Sequence, residues 1–379
     1  MDSIKILHMA DAHLGLNFPF LGSLSDRRRM EILDAFGRLC DMCNQLDIDI
    51  LLIAGDFLES SCIDGPYLEE IKRYLSKIRA EVVLVAGNHD YLSLDSYYLD
   101  DDFPENVKVF KNGSLEKYTI DRLKTNIYGA SFTSYYQREG FLSSDLGALN
   151  SDYINICLVH GDLGQKDSLY NPISIEEVEG MGFDYLALGH IHKTSPIGKV
   201  KGSYYSYPGS FQSLSFGDQG KNSVVLARIS KDSKEFSYLE IEGPRLISLD
   251  FDISAYDTNY KLAEDLRKNM EENFNSKDFL YLDNYYRVNL IGRKNRDLSF
   301  DRDIIATRLQ DLKYLDLIDT SRQDVNLELE AKKDNLYGIF IRNYLDEKKR
   351  LEKEGKSRDL KILDRSLDLT LKAFEGKKL

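Results

Sequence analysis

The chain has 379 residues, a net charge of −13 and four cysteines. Its length predicts two domains plus a tail, and its acidic balance excludes a protein that coats nucleic acid by bulk electrostatics, because non-specific affinity comes largely from Lys and Arg neutralising phosphates. Four cysteines in so long a chain form no secreted disulfide framework, and with no signal peptide and no run near the roughly 20 apolar residues of a membrane span, the sequence predicts a soluble, cytoplasmic protein.

In chain order, Ile4–His8 reads as a strand, Ser25–Leu46 as a helix, Ile48–Ala54 as a strand, Pro66–Ile78 as a helix and Val82–Ala86 as a strand. Such alternation predicts an α/β architecture with helices on the outer faces of a sheet. Cys40 and Cys43 form a C-x-x-C but fall late on the apolar stripe of the first helix, whereas a redox pair is activated near a helix N-terminus. Core packing is their expected role. Arg27, Arg28 and Arg29 sit at the start of that helix, where positive charge opposes the helix dipole. A DNA-phosphate contact would explain them, as would a solvated face.

After Gly113 the pattern shortens to "TNIYGASF", "YINICLVHG", "YLALGH", "SYYSYPGS" and "SVVLARIS". These predict a second set of strands, hence two packed sheets flanked by helices across residues 1–230. The polar stretch Ser230–Arg245 reads as a boundary. Beyond it, "LISLDFDI", a helix around Asn259–Phe274, "YYRVNLIG", a helix around Arg302–Leu312 and "LDLID" predict a small α/β domain over 245–323 that contains no His or Cys. From about Asn335 to the end the chain is helical and charged, with 12 Lys/Arg against 8 Asp/Glu after Phe340 and an apolar stripe at Leu360, Leu363, Leu367, Leu371 and Phe374. A stripe of that kind needs a surface, on a partner or on its own chain.

The chemistry lies at the ends of the apolar runs. "IKILHMADAH" ends in Asp11 and His13, "DILLIAGD" in Asp56, "EVVLVAGNHD" in Asn88, His89 and Asp90, "YINICLVHGD" in His160, and "FDYLALGHIH" in His190 and His192. The carboxyl ends of strands in an α/β sheet line one crevice, so groups far apart in sequence converge there. All six histidines lie within residues 8–192, and only His8, inside the first strand, reads as structural. Imidazoles, carboxylates and an amide oxygen without a thiolate suit Mn, Fe or Zn. Seven candidate ligands exceed the needs of one ion, and a bridging carboxylate would hold a pair.

The blocks D-x-H (Asp11, His13), G-D (Gly55, Asp56), G-N-H-D (Gly87–Asp90), H-G (His160, Gly161) and G-H-x-H (Gly189–His192), in that order, resemble the calcineurin-like metallophosphoesterase superfamily. "DAHLG" (Asp11–Gly15), "YPGS" (Tyr207–Ser210) and the appended domain and tail resemble its SbcD-like DNA double-strand-break repair exonucleases and their YhaO-type relatives. The resemblance implies a four-layer sandwich of two mixed sheets flanked by helices, with a small α/β capping domain and a helical tail. It implies one ion on Asp11, His13, Asp56 and His192, a second on Asp56, Asn88, His160 and His190, and His89 as the catalytic residue that stabilises charge or protonates the leaving oxygen while Asp90 orients His89 or the loop. It also implies two divalent ions, Mn foremost with Fe or Zn as alternatives, DNA ends as substrate, a tail docked on an SbcC-like coiled-coil ATPase, and a homodimer. The sequence departs from the family at Glu59, where some relatives carry a His, and at Asp218, where a Glu is usual. A small-molecule phosphoesterase and a non-catalytic scaffold for the ATPase stay open as alternatives; G-N-H-D rather than G-N-H-E speaks against a protein phosphatase.

Overall fold

Period-2 alternation in the apolar runs, with Val, Ile and Leu on both parities, builds strands buried on both faces. The structure is a computed structural model and describes residues 3–100, 102–143, 147–218, 220, 222–294, 300–323 and 326–374. Its first unit comprises 1–246 with 276–279. In chain order it holds β1 (Ile4–Met9), α1 (Ser25–Gln45), β2 (Ile50–Ala54), α2 (Gly65–Leu75), β3 (Glu81–Val85), β4 (Val107–Val109), β5 (Glu116–Ile120), β6 (Thr125–Gly129), β7 (Ile154–His160), β8 (Asp162–Leu163), β9 (Pro172–Ile173), α3 (Ile175–Met181), β10 (Tyr185–Gly189), β11 (Gly198–Val200), β12 (Ser203–Ser206), β13 (Ser223–Ile229) and β14 (Lys234–Glu240).

Two six-stranded sheets result, ordered β14-β13-β1-β2-β3-β4 and β11-β12-β10-β7-β6-β5. Strands β1 to β4 run parallel in the first, and β6, β7, β10 and β12 run parallel in the second. Each sheet is mixed because β13 pairs antiparallel with β1 and β5 antiparallel with β6. One core lies between them: Ile6, Leu52, Val83 and Val85 from one sheet meet Ile127, Ile156, Leu158 and Ala187 from the other. Their neighbours Leu7, Leu51, Ile53 and Leu84 are also fully buried, so both parities contribute about 1.5–3 kcal/mol per aliphatic side chain. His8 lies in this core with Nδ1 2.8 Å from the Tyr185 hydroxyl, and burial drives its imidazole down to about 3.

Cys40 and Cys43 lie on the buried stripe of α1 with Ile32, Leu33, Phe36 and Leu39. Burial pushes the Cys43 thiol up to about 12 and the Cys40 thiol higher still, which leaves both unreactive and packed. Helix α2 starts where the Asp64 side chain accepts from Tyr67 N, with Pro66 in its first turn. Two expectations change. "SVVLARIS" forms β13, which joins the first sheet beside β1 rather than the second set. The stretch read as a boundary contains β14, an edge strand paired from Lys234–Ile229 to Glu240–Ser223; its alternately exposed side chains mask it as a linker.

The second unit comprises 247–275 and 280–379. With β15 (Leu246–Asp252) leading into it, it holds α4 (Asn259–Phe274), β16 (Tyr285–Ile291), β17 (Arg293–Lys294), α5 (Arg302–Arg308), β18 (Tyr314–Asp319), β19 (Arg322–Gln323), α6 (Leu327–Glu330), α7 (Leu336–Lys353) and α8 (Ser357–Phe374). The sheet β15-β16-β18 is covered by Leu262, Leu266 and Met270 of α4 and Ile305 of α5. The tail stripe is partly spent within this unit, since Leu363, Leu367 and Leu371 pack with Ile341 and Tyr344 of α7. Phe374 at its end is 46% exposed, and 375–379 lie outside the described residues. No helix among the described residues is long and apolar enough to cross a membrane.

Candidate metal centre

Parallel pairing aligns the strand ends. Met9 of β1 lies opposite Ile53, Ala54 of β2 opposite Val85, and Gly189 of β10 opposite His160, so the polar residues that follow emerge along one edge of each sheet. The turns are locked by backbone bonds from Asp11 N to Gly55 O (3.1 Å) and from His13 N to Asp56 O (2.9 Å). Among the described residues eight non-glycine positions have positive φ, and four of them are Asp11 (51°), His13 (44°), Asp56 (47°) and His190 (104°). Left-handed backbone at such residues costs about 1–3 kcal/mol each and persists only where the surroundings enforce it. The strain is concentrated where the ligand groups are aimed. Gly87 is required at this point because a Cβ there would overlap Asp56 Oδ1.

Asp90 enforces much of this geometry. Its carboxylate is wholly buried and accepts from Asp56 N (3.2 Å), Gly87 N (2.7 Å), Phe57 N (2.8 Å), Leu58 N (3.1 Å) and the Tyr98 hydroxyl (2.6 Å). It fastens the loop backbone after β2 to the loop after β3 and makes no contact with the His89 ring among these bonds.

Asp56 is the hub of the crevice. Its Oδ2 lies 3.3 Å from His160 Nε2 and 3.7 Å from His13 Nε2, and its Oδ1 accepts from His89 N at 2.8 Å. Potential ligand atoms of Asp56, His160 and His190 lie within 4.8 Å of one another, as do those of Asp11, His13 and His192. Asn88 Oδ1 is 3.1 Å from His160 Nε2, and both Asp11 oxygens accept from His190 N at 3.0 and 3.1 Å. Seven of the seven sequence-derived ligands therefore share one crevice.

The donors fit divalent cations. His160 Nδ1 sits 2.9 Å from Ala54 O, a group that only accepts, so Nδ1 carries a proton and Nε2 is the nitrogen turned to the crevice. Nε2 faces the Asp56 carboxylate and the Asn88 amide oxygen, two acceptors, so positive charge is favoured there, as a ring proton or as a cation that Nε2 would ligate. Against the cost of burial, the Asp56 and Asp11 carboxylates push the His160 imidazole up to about 9, because a buried cluster of carboxylates favours positive charge at its centre. His13 repeats the pattern: Nδ1 is 3.1 Å from Glu59 Oε2, and Nε2 is buried with no hydrogen-bond partner.

Residues 4–194, half of the chain, match the calcineurin-like phosphoesterase family. The chain belongs to that family. It is 23% identical over 273 residues to the DNA double-strand break repair protein Mre11 of Methanopyrus kandleri, a match over 65% of this chain and 59% of the relative. It is 22% identical over 250 residues to the uncharacterized metallophosphoesterase YhaO of Bacillus subtilis, over 63% of this chain and 60% of the relative. The chain thus spans about three fifths of the length of both. The purple acid phosphatase PPD1 from seeds of yellow lupin (Lupinus luteus) superposes with a TM-score of 0.40 at 13% identity, covering 63% of this chain and 51% of that one.

This metallophosphoesterase contains site residues that the motifs do not reveal. Glu59 joins two histidines: Oε2 lies 3.1 Å from both His13 Nδ1 and His89 Nδ1, and against burial those bonds hold its carboxyl down at about 2. The same contact, as the largest cause, raises the His89 imidazole above its ordinary value. Asp162 Oδ2 stands 3.7 Å from His190 Nε2, and Asp218 Oδ1 3.8 Å from His192 Nδ1. Against burial, Asp218 raises the His192 imidazole above its ordinary value, whereas burial and the neighbouring His160 bring the His190 imidazole down to about 4 despite Asp162; the sequence signalled Glu59 and Asp218 as departures and gave no sign of Asp162.

The arginine triplet requires a correction. Arg28 is fully buried, donating to Pro244 O at 2.6 Å and Ser213 O at 2.8 Å, because carbonyls far along the chain converge on its guanidinium. It is unavailable to DNA. Arg29 donates to Gly15 O at 3.1 Å with a side chain 15% exposed. Only Arg27 of the three presents a largely exposed side chain, beside Glu31 at 3.3 Å.

Proposed function

We propose that this metallophosphoesterase is a two-metal phosphodiesterase that hydrolyses DNA at its ends, with Mn as its working ion. The observation that carries the reading is Asp56 Oδ2 standing between His160 Nε2 at 3.3 Å and His13 Nε2 at 3.7 Å. A carboxylate placed between two imidazoles would serve two borderline-hard cations as a shared ligand. Asp11, His13, Asp56 and His192 would hold one ion; Asp56, Asn88, His160 and His190 would hold the other.

When bound, the ions supply Lewis acidity, lowering the pKa of water to about 7 and offsetting charge on the phosphoryl oxygens. The chain's own residues do the rest. His89 is the proton donor: Glu59 holds its Nδ1 side and favours the protonated ring, and its side chain is 36% exposed, so it can reach a leaving oxygen in the open crevice. Asp90 holds the loops after β2 and β3 in register so that His89 and Asp56 keep their spacing. DNA as substrate is supported by the double-strand break repair protein among the relatives. In this reading the small unit over 245–323 steers DNA, the tail docks on an SbcC-like coiled-coil ATPase, and two chains form a homodimer.

The test is hydrolysis of a blunt, end-labelled duplex with Mn by purified protein, beside bis-p-nitrophenyl phosphate and His89→Ala. Both substrates should be cut, and His89→Ala should lower DNA cutting by about 10²–10⁴ with bound Mn unchanged, and cutting of the small ester much less, because p-nitrophenolate leaves without a proton. Cutting of the small ester alone, with or without the ATPase, sinks the DNA assignment; loss of Mn from His89→Ala sinks its role as proton donor.

A further inference from the structure

Three tyrosines line the crevice without a part in its metal or proton chemistry. Tyr135 and Tyr136 meet edge to face with centroids 5.0 Å apart, and they reach Tyr170 at 6.1 and 5.8 Å. Tyr135 lies 5.9 Å from His89 and Tyr170 lies 4.7 Å from His190. The rings therefore form a continuous chain from the proton donor to a candidate ligand of the second ion. Yet Tyr135 is 41% and Tyr136 48% exposed, with Leu169 beside Tyr170 in sequence 38% exposed. Burying such a ring would gain about 1.5–3 kcal/mol, so two adjacent rings left in water at an active crevice are not placed there by packing.

The platform is also held firmly. At one end Phe132 N donates to Ala86 O (3.1 Å) and Leu92 N donates to Phe132 O (2.8 Å), which ties it to the loop carrying Asn88 and His89. At the other end Gln137 N donates to Leu169 O (2.8 Å) and Asn171 N to Gln137 O (2.6 Å), while Asn171 Nδ2 donates to His160 O at 2.7 Å. Between the ends Ser134 Oγ donates to Tyr136 O at 2.6 Å. The rings are thus fixed relative to both halves of the metal centre, and a ligand that stacks on them pays little to order them.

We propose that Tyr135, Tyr136 and Tyr170 form a stacking platform for the bases of unpaired nucleotides next to the scissile phosphate. The proposal rests on the phosphodiesterase reading above and narrows its substrate. Neutral aromatic rings recognise the faces of bases, and within a duplex those faces are hidden in the stack; only a frayed end, an overhang or a single strand presents them. The site would then act on a strand end that has come apart from its partner.

The experiment compares an oligothymidylate with an abasic oligonucleotide of the same length, so that backbone charge is constant and only the bases differ. Binding is read by fluorescence anisotropy without metal, and cleavage with Mn, for the wild type, Tyr135→Ala, Tyr136→Ala, and Tyr135→Phe with Tyr136→Phe. The wild type should prefer the base-bearing strand, and each Ala variant should weaken that strand by on the order of tenfold while leaving the abasic strand unchanged. The Phe variants, which keep the ring, should retain the preference. Thermal midpoint and Mn content establish that each variant is folded. If the Ala variants weaken both strands equally, or leave the oligothymidylate unaffected while it is still cut, the platform is overturned and the nuclease reading stands. If the wild type neither binds nor cuts either strand but still cuts the blunt duplex, the platform is overturned and the nuclease reading stands; if the duplex too is left intact while bis-p-nitrophenyl phosphate is turned over, both fall together.

Discussion

The two units handle polar groups in opposite ways. In the first, carboxylates and imidazoles are buried and held by many donors: Asp90 is fully buried and bonded by four backbone N–H groups and a hydroxyl, and strained backbone aims Asp11, His13 and Asp56. In the second, charged groups pair near water, as Arg267 and Asp311 do at 2.6 Å with side chains 30% and 48% exposed. The second unit has no histidine. Its core gathers Ile, Leu, Val, Met and aromatic side chains, and a polar group buried there, Asn284, donates to Phe274 O. In the crevice the buried carboxylates converge at strand ends, where a cation would offset their burial, while a buried charge elsewhere, such as Arg28, is held by carbonyl oxygens.

That contrast can be broken most severely at Asp90. Asp90→Asn leaves several buried N–H groups facing an amide rather than a carboxylate and should cost roughly 3–5 kcal/mol in chemical denaturation, with weakened Mn binding; a loss below that of an ordinary surface change would show that the loops do not depend on it. Glu59→Gln comes next, lowering activity or Mn affinity about 10–100-fold, measured by steady-state kinetics and calorimetric titration. Unchanged values in both would remove Glu59 from the site.

His8 sharpens the comparison through pH. Burial keeps its folded-state value near 3, below the ordinary 6.5, so its contribution is complete above about 6.5 and is lost progressively as pH falls towards 3. Between pH 6.5 and 5 this amounts to about 2 kcal/mol. The stability lost over that interval should be smaller by that amount in His8→Gln, and equal slopes in the two proteins would contradict the burial argument. The smallest effect belongs to the second unit: Arg267→Met should cost no more than about 1 kcal/mol in denaturation, because its ion pair is solvated.

Local signals reached far into this protein. Continuous apolar runs such as "VVLVA" identified strands, the apolar stripe of Ser25–Leu46 identified α1, and Asp, Asn and His at the strand ends marked the crevice before any geometry was known. These features are legible because periodicity and turn chemistry act over a few residues. The residues that failed to show themselves depend on partners far away. The carbonyls that hold Arg28 lie 185 and 216 residues along the chain. The choice of β1 as the partner of β13 is a tertiary event, and β14, exposed on alternate positions at the sheet edge, carries no apolar run to announce it.

By itself, then, the sequence determined the α/β class, the set of candidate ligand residue types and their delivery to one crevice, because five strands each carry such residues at their own ends. Tertiary structure alone decided which carboxylates stand behind those ligands. Glu59 is chemically an ordinary loop glutamate until the turns after β1 and β3 bring His13 and His89 within 3.1 Å of it. Likewise, three tyrosines from two loops become one aromatic surface only when the backbone bonds of Phe132, Gln137 and Asn171 draw those loops together.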